Sequence, residues 1–456
     1  DFCLSRGLGD VYKRQAYQYW LSNNHYYNGA YGDKDGAYKD YGTFKTQNFI
    51  TIGRNGNVFK GSISGKQEDN DNPDKPVNTV INNLRITSGQ TIGGAYGGLF
   101  GHVENSTISY IEIGGSSNIW AYSSDNQQIA ATGGIVGYAT GSTTIEHCAV
   151  SGTTAIGAYG KKDDTHIASD ITYAGGIVGL TDPKQGSEYK AGISAIIKGC
   201  TVNISTTTGD RAAFAGIIQA CKSNIGGVLG YIEGIGHIKV DGDDKDDKDY
   251  GASGKSNSVR IEGCSVDKAV IQAASSANTS SQIGGILGYG SEFVAAFITG
   301  CEVGNSADTT DTVTIKGEHS LGGIAGGMSN AKGGYIDSCI VGANTTIERI
   351  NQGGDKDDKG NDKVSESPKH GTAIGGLVGF TQDSKDDTSP LTTTFSGTSA
   401  FGGTITVSVE STNKSQDSDA KISCIGGIVG DMGSGANFAS GSDVTVGGTI
   451  DIKNSQ

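Results

Sequence analysis

One recurring phrase limits what this chain can fold into: a small or aliphatic residue, Gly-Gly, two mostly aliphatic residues, and a third Gly. It reads GGLFGH from Gly97, GGIVGY from Gly133, GGIVGL from Gly175 and GGVLGY from Gly226. It returns as GGILGY from Gly284, GGIAGG from Gly322, GGLVGF from Gly375 and GGIVGD from Gly426. Successive copies lie 36, 42, 51, 58, 38, 53 and 51 residues apart. Repeats on this scale specify a solenoid, a propeller or an array. A second phrase follows five of the eight copies: IEHCAV ending at Val150, IKGCTV at Val202, IEGCSV at Val266, ITGCEV at Val303 and IDSCIV at Val341.

In the second phrase Cys and Val alternate, so both share one face of a strand. The Ile stands three before the Cys, which breaks the period of two and asks for a corner or bulge between them. The residue before the Cys is His147, Gly199, Gly263, Gly300 or Ser338, and small or left-handed-tolerant residues suit such a corner. Ile, Cys and Val then all point inward around a bend. The Gly-Gly phrase reads as a tight glycine corner, two or three strand residues, and a glycine where the backbone turns again.

Composition supports many thin cores over one large one. Glycine is 74 of 456 residues, proline only 5, and hydrophobic residues 35%. Frequent Gly opposes helix by roughly 1 kcal/mol each, and β-branched residues fill the apolar sites. Short strands stacked rung on rung give the expected fold: an all-β, right-handed parallel β-helix. A β-propeller is the alternative, but it wants a regular blade length. Ile135, Ile177, Val228, Ile286, Ile324, Leu377 and Ile428 are expected in one interior column. Each module is expected to span two rungs, which would place equivalent Cys Cα atoms roughly 9–10 Å apart, beyond the ~7 Å reach of a disulfide.

Polar insertions explain the unequal intervals: KKDDTH at 161–166, DGDDKDDKDYG at 241–251, GGDKDDKGNDK at 353–363 and DSKDD at 383–387. They are expected as loops from one corner of the solenoid. Residues 1–15 are set apart from the fold, because SRGLGDVYKRQ (5–15) matches the translation of a transposon-based sequencing adapter. The chain is therefore expected to be a fragment. Residues 16–95 are expected to form an N-terminal aromatic cap and first rungs, and 96–456 the repeats. The cap would draw on Tyr17, Tyr19, Trp20, Tyr26, Tyr27, Tyr31, Tyr38 and Tyr41; a sugar-stacking platform is the other reading of these rings.

The segments VFKGSISG (58–65), VINNLRI (80–86) and GGLFGHVENSTISYIEI (97–113) resemble the GLUG-motif repeats of bacterial surface proteins. Gly98, Leu99, Phe100 and Gly101 match the motif itself, and the later Gly-Gly phrases are similar as drifted copies. The resemblance covers roughly 45–456. It implies an exported, surface-displayed bacterial protein and does not imply catalysis. GLUG repeats occur in adhesin-like proteins, in cell-wall proteins, and as accessory arrays of IgA-cleaving metallopeptidases.

Cys148, Cys200, Cys264, Cys301 and Cys339 share one slot, as a metal ladder, disulfides or small buried thiols. No C-x-x-C pair at zinc spacing exists, and Cys is among the most buried residue types, so inert thiols are expected. Cys221 and Cys424 are also expected to face inward, and Cys3 sits in the excluded stretch. His25, His102, His147, His166, His237, His319 and His370 form no H-E-x-x-H. Gly254-Lys255-Ser256 lacks the first Gly of a P-loop, since Asp249 stands there. Asp69, Asp71 and Asp74, and Asp241, Asp243, Asp244 and Asp246, offer oxygens for calcium, but Lys245 and Lys248 interrupt the second run. The outward slot of the second phrase holds Glu146, Lys198, Glu262, Thr299 and Asp337, too mixed for a carboxylate pair repeated from rung to rung.

No catalytic, cofactor-binding or metal residue is therefore assigned, and no cofactor. The net charge of −14 opposes nucleic-acid binding, which needs a basic stripe. No apolar run is long enough to span a membrane. The expected function is a non-enzymatic, adhesin-like or structural repeat region on the bacterial surface or outside the cell, with a surface glycan or protein as partner. The alternatives are the stalk of a larger secreted enzyme such as a peptidase, and a β-helical carbohydrate-active enzyme.

Overall fold

The computed structural model describes residues 49, 51–53, 56–68, 76–88, 94–122, 129–159, 172–183, 192–205, 217–220, 224–233, 257–273, 281–290, 294–317, 319–329, 334–349, 373–382, 393–410, 424–432 and 436–455. The aromatic stretch 17–41, residues 1–15 and the insertions 161–166, 241–251, 353–363 and 383–387 lie outside these residues. Every regular element among the described residues is a strand. The strands repeat as coils of five. The coil of the second Gly-Gly phrase runs Ala130–Gly133, Val136–Thr140, Thr144–Glu146, Ala149–Gly152 and Ala155–Tyr159. The next begins again at Thr172–Gly175.

Equivalent strands pair in parallel and in register. First strands form an eight-stranded sheet, second strands another of eight, and third strands one of nine; fourth and fifth strands share a bent sheet of seventeen. The chain is a parallel β-helix. Three strands ahead of the first full coil, Ser62–Ser64, Thr79–Asn82 and Arg85–Ser88, begin the stack within the stretch expected to hold the first rungs.

One module makes one coil, not two. Gly133 pairs with Gly175, Gly175 with Gly226, and Gly322 with Gly375, each directly one strand apart. Five short strands with their corners, the fourth and fifth fused as Ser265–Ala273 in one coil, consume a whole interval, so none is left for a second turn. The Ile135 column is as expected: Ile135 N–H donates to Ile177 O (3.1 Å), Ile177 to Val228 (3.0 Å), Val228 to Ile286 (3.0 Å) and Ile286 to Ile324 (2.9 Å). All are buried except Ile428, which belongs to the last described coil and is only partly covered. Further inward columns run Ile108–Ile145–Ile197–Ile261–Ile298–Ile336–Phe395 in the third strand and Ile119–Ile156–Ile218–Ile271–Ile315–Ile347–Ile405 in the fifth.

The corner before Cys is a single left-handed residue. His147 has φ 52°, Gly199 57°, Gly263 57°, Gly300 59° and Ser338 53°. One residue in this conformation turns the chain and brings Ile, Cys and Val all inside; Ile145, Cys148 and Val150 are buried.

The third glycine of the phrase has a different task from the expected turn. It lies within the second strand, which folds back against the first strand of the preceding coil. A methyl on Gly137 would stand 2.8 Å from the Gly97 carbonyl oxygen, one on Gly179 2.5 Å from the Thr132 nitrogen, one on Gly230 2.8 Å from the Ala174 oxygen, and one on Gly288 2.5 Å from the Ile225 nitrogen. Two backbones touch where any side chain would hold them apart.

The insertions, outside the described residues, fall in two connections of the coil. Residues 161–166 and 353–363 fall between fifth and first strands, whereas 241–251 and 383–387 fall between second and third.

These contacts separate two kinds of glycine. Gly230→Ala meets three backbone atoms and should destabilise by about 3 kcal/mol or more through overpacking. Gly263→Ala meets no atom within 4 Å and should cost only the ~1–2 kcal/mol of left-handed backbone. Urea midpoints with unchanged slopes would rank the two; equal loss, or a larger loss at Gly263, would contradict the close-contact account.

Candidate functional site

First and second strands touch through glycine at the Gly-Gly tip and diverge beyond it. Side chains fill the space between them as a small cluster separate from the main core: Ala131, Tyr138, Tyr173 and Leu180 are buried there, with Tyr96, Ile129 and Tyr231 partly covered. The rings alternate across the seam. Tyr96 of a first strand meets Tyr138 of the next second strand at 5.0 Å, and Tyr173 meets Tyr231 at 4.5 Å and 12°. His102 stacks on Tyr138 at 4.6 Å. The stack continues through Tyr231–Tyr289 (5.8 Å) and Tyr289–Phe380 (5.9 Å). The last pair skips a coil, because the intervening position is Gly327, whose missing methyl would collide with the Phe380 ring. Offset aromatic pairs contribute about 0.5–1.5 kcal/mol each beyond their area.

Carboxylates border the seam. Glu104, Thr140 and Asp182 are successive partners in the second-strand ladder. Glu233 follows one coil on, its N–H donating to the Thr181 carbonyl. Lys60 pairs with Glu104 at 2.6 Å. The Tyr138 hydroxyl donates to Asp182 Oδ2 at 3.1 Å, and Asp182 is fully buried. Burial pushes the Tyr96, Tyr138 and Tyr173 hydroxyls far above their usual range, and the nearby Asp182 and Glu233 carboxylates push Tyr96 and Tyr138 further, with Tyr231 and Glu233 acting on Tyr173. All three therefore stay neutral at any ordinary pH. Asn224 follows Tyr173 in the first-strand ladder; it is 8% exposed, and its amide oxygen has no hydrogen-bond partner. The partly exposed rings of Tyr231, Tyr289 and Phe380 are of the kind that stacks on the apolar faces of a polyhydroxylated ligand.

This seam was missed in the sequence. Its signal is the residue after the third glycine: His102, Tyr138, Leu180, Tyr231, Tyr289, Gly327, Phe380 and Asp431. It is aromatic or His in five of eight copies, and only the backfolded strand gives that position a meaning. Asp182 and Glu233 carry no signal of their own.

The five slot cysteines do come together. Cys148, Cys200, Cys264, Cys301 and Cys339 are at most 1% exposed and occupy consecutive coils. Each thiol donates to the Ile carbonyl one coil back, from Cys148 to Ile108 O at 3.8 Å through Cys339 to Ile298 O at 3.4 Å. Their backbones are one strand spacing apart, ~4.8 Å. That overturns the expected 9–10 Å and falls inside the disulfide Cα range of about 4.4–6.8 Å, so distance is not what keeps these thiols free. Burial pushes the Cys200 thiol well above its usual range. Cys424, expected to face inward, is half-buried and pairs with Ala373 in the column that holds Tyr173 and Asn224; its neighbour Ile425 packs on the core instead.

The remaining candidates stay apart. Glu146, Lys198, Glu262, Thr299 and Asp337 form one outer ladder of mixed character, as read. His147 stacks on Tyr110 at 4.9 Å at its corner. Cys3, Cys221, His25, His166, His237, His370, Lys255, Asp69, Asp71, Asp74, Asp241, Asp243, Asp244 and Asp246 lie outside the described residues. Among the described residues no three His, Cys, Asp or Glu side chains converge as a metal site, and no helix is long and apolar enough to cross a membrane. No family model, no curated protein and no solved structure matches this chain.

His319 gives a pH test. Burial, and then Arg349, lower its pKa from 6.5 to about 4. The unfolded chain therefore binds the proton first. This contribution is complete above pH 6.5 and is lost as pH falls towards 4, by about 3 kcal/mol at most. His319→Gln should flatten the urea stability profile between those pH values. A wild-type slope retained in the variant would assign it to other groups.

Proposed function

We propose that this chain is a non-enzymatic, surface-displayed repeat region of the GLUG kind, adhesin-like, from an exported bacterial protein, with a surface glycan as its partner. The observation carrying this reading is the aromatic seam. Rings recur along it from Tyr96 to Phe380, in two runs separated at Leu180, while the inward columns are mostly aliphatic, so the coils build a support and the seam adds rings and acceptors suited to sugars. Rings supply contact area at little conformational cost. Binding to an immobilised glycan array tests it. Tyr231→Ala and Tyr289→Ala should each weaken a captured glycan at least tenfold without lowering the melting temperature by more than a few degrees. Glycan binding unchanged in both variants would reject the seam as the surface used.

One observation favours a second reading, a β-helical carbohydrate-active enzyme: Asp182 and Glu233 stand on successive coils beside the rings. Paired carboxylates in distinct environments are what general acid–base work on a glycosidic bond requires. Release of reducing ends from a polysaccharide panel, lost in Asp182→Asn and Glu233→Gln, would select this reading; binding without release selects the first.

A further inference from the structure

The cysteine column has a geometry that inert packing does not require. Five thiols stand on five consecutive coils, all inside, with no other residue type interrupting them. The slot is filled by Ile111 on the coil before, by register, and by Ser399 after, where the Ser399 hydroxyl receives the Cys339 N–H at 3.1 Å. The array is therefore a finite line of four gaps. On the scale of a zinc–thiolate bond, about 2.3 Å, two metal–sulfur bonds in line span ~4.6 Å, close to the ~4.8 Å between strands. Each thiol has thiol neighbours only along the line, and no three ligands converge, which suits linear coordination and not a tetrahedral zinc site. Sulfur selects soft ions.

We propose that this column binds soft monovalent d10 cations, Cu(I) or Ag(I), one in each gap between successive thiols. The step balances without redox change. One thiol loses its proton and forms an S–M bond, while the neighbouring sulfur donates a lone pair and closes the S–M–S bridge. One proton leaves per cation, so a filled column of five sulfurs and four cations has lost four protons and remains neutral, as an apolar interior demands. The bonds given up are the long S–H···O contacts of 3.4–3.8 Å to the Ile carbonyls.

The test uses the full chain with Cys3, Cys221 and Cys424 replaced by Ser, Ag(I) as the probe, and native mass spectrometry to count ions on folded protein. The parent should take up four. Cys148→Ala, at the end of the line, removes one gap and should leave three. Cys264→Ala, at its centre, removes two and should leave two. Should Cys264→Ala fail to fold, Cys264→Ser keeps the volume and serves the same count. Equal losses from the end and centre substitutions would show thiols acting singly. Either that result or no uptake by the folded chain overturns the proposal.

Discussion

The rest of the structure depends on a contact between two backbones. Where the second strand of a coil folds back on the first strand of the coil before, Gly137, Gly179, Gly230 and Gly288 let peptide units approach to distances no Cβ tolerates. Gly326, Gly379 and Gly430 repeat the contact in later coils. Because the approach is between coils, it fixes their relation along the axis as well as the fold of each one. It also delivers the Gly-Gly tip to the interior: Gly134 abuts Val150 and Ile156, and Ile135 enters the core directly after it. A side chain at either glycine would push the tip outward and open the column that the coils share.

The backfold has a second consequence. Strands that touch at one end and separate toward the other leave a wedge, which must be filled or left to water. The residues beyond the glycines fill it, and rings suit the task because one broad side chain can reach across to the neighbouring coil. Tyr173 against Tyr231 shows the regular case. Gly327 shows the exception, where a missing side chain is made good by Phe380 from the coil above. The fifth-to-first and second-to-third connections leave the strands at the open side of this wedge, and the long Asp/Lys insertions fall in those connections. Single-residue corners such as Gly199 and Gly263 link third to fourth strands with no room for insertion.

The inward half of this design was legible in the sequence. Ile-x-x-Cys-x-Val broke the strand period at one point, and left-handed corners at His147, Gly199, Gly263, Gly300 and Ser338 are that break. The Ile135 column followed from the phrase because a branched aliphatic residue repeats wherever burial is complete. The rise per module was not legible. An interval of 36 to 58 residues counts chain, not turns, and the five short strands that consume it were not each marked by a phrase. The seam was hidden for a different reason. Tyr138 or Tyr231 after a glycine reads as an outward strand residue, and it becomes a packing position only when the strand doubles back.

The cysteines show how such a fold turns repetition into chemistry. Parallel, in-register coils place like residues one strand spacing apart, so a residue chosen for its size in one module meets copies of itself above and below. For Ile261 or Val266 the outcome is ordinary packing. For Cys264 it is a thiol between two thiols, packed as a small apolar group while its S–H donates to the Ile197 carbonyl. Exchange of this one side chain separates the two contributions. Cys264→Ala removes a small apolar group and should cost about 1 kcal/mol. Cys264→Asp places a carboxylate beside two weak donors in an apolar line and should be far more costly, which melting curves of the two variants would show directly.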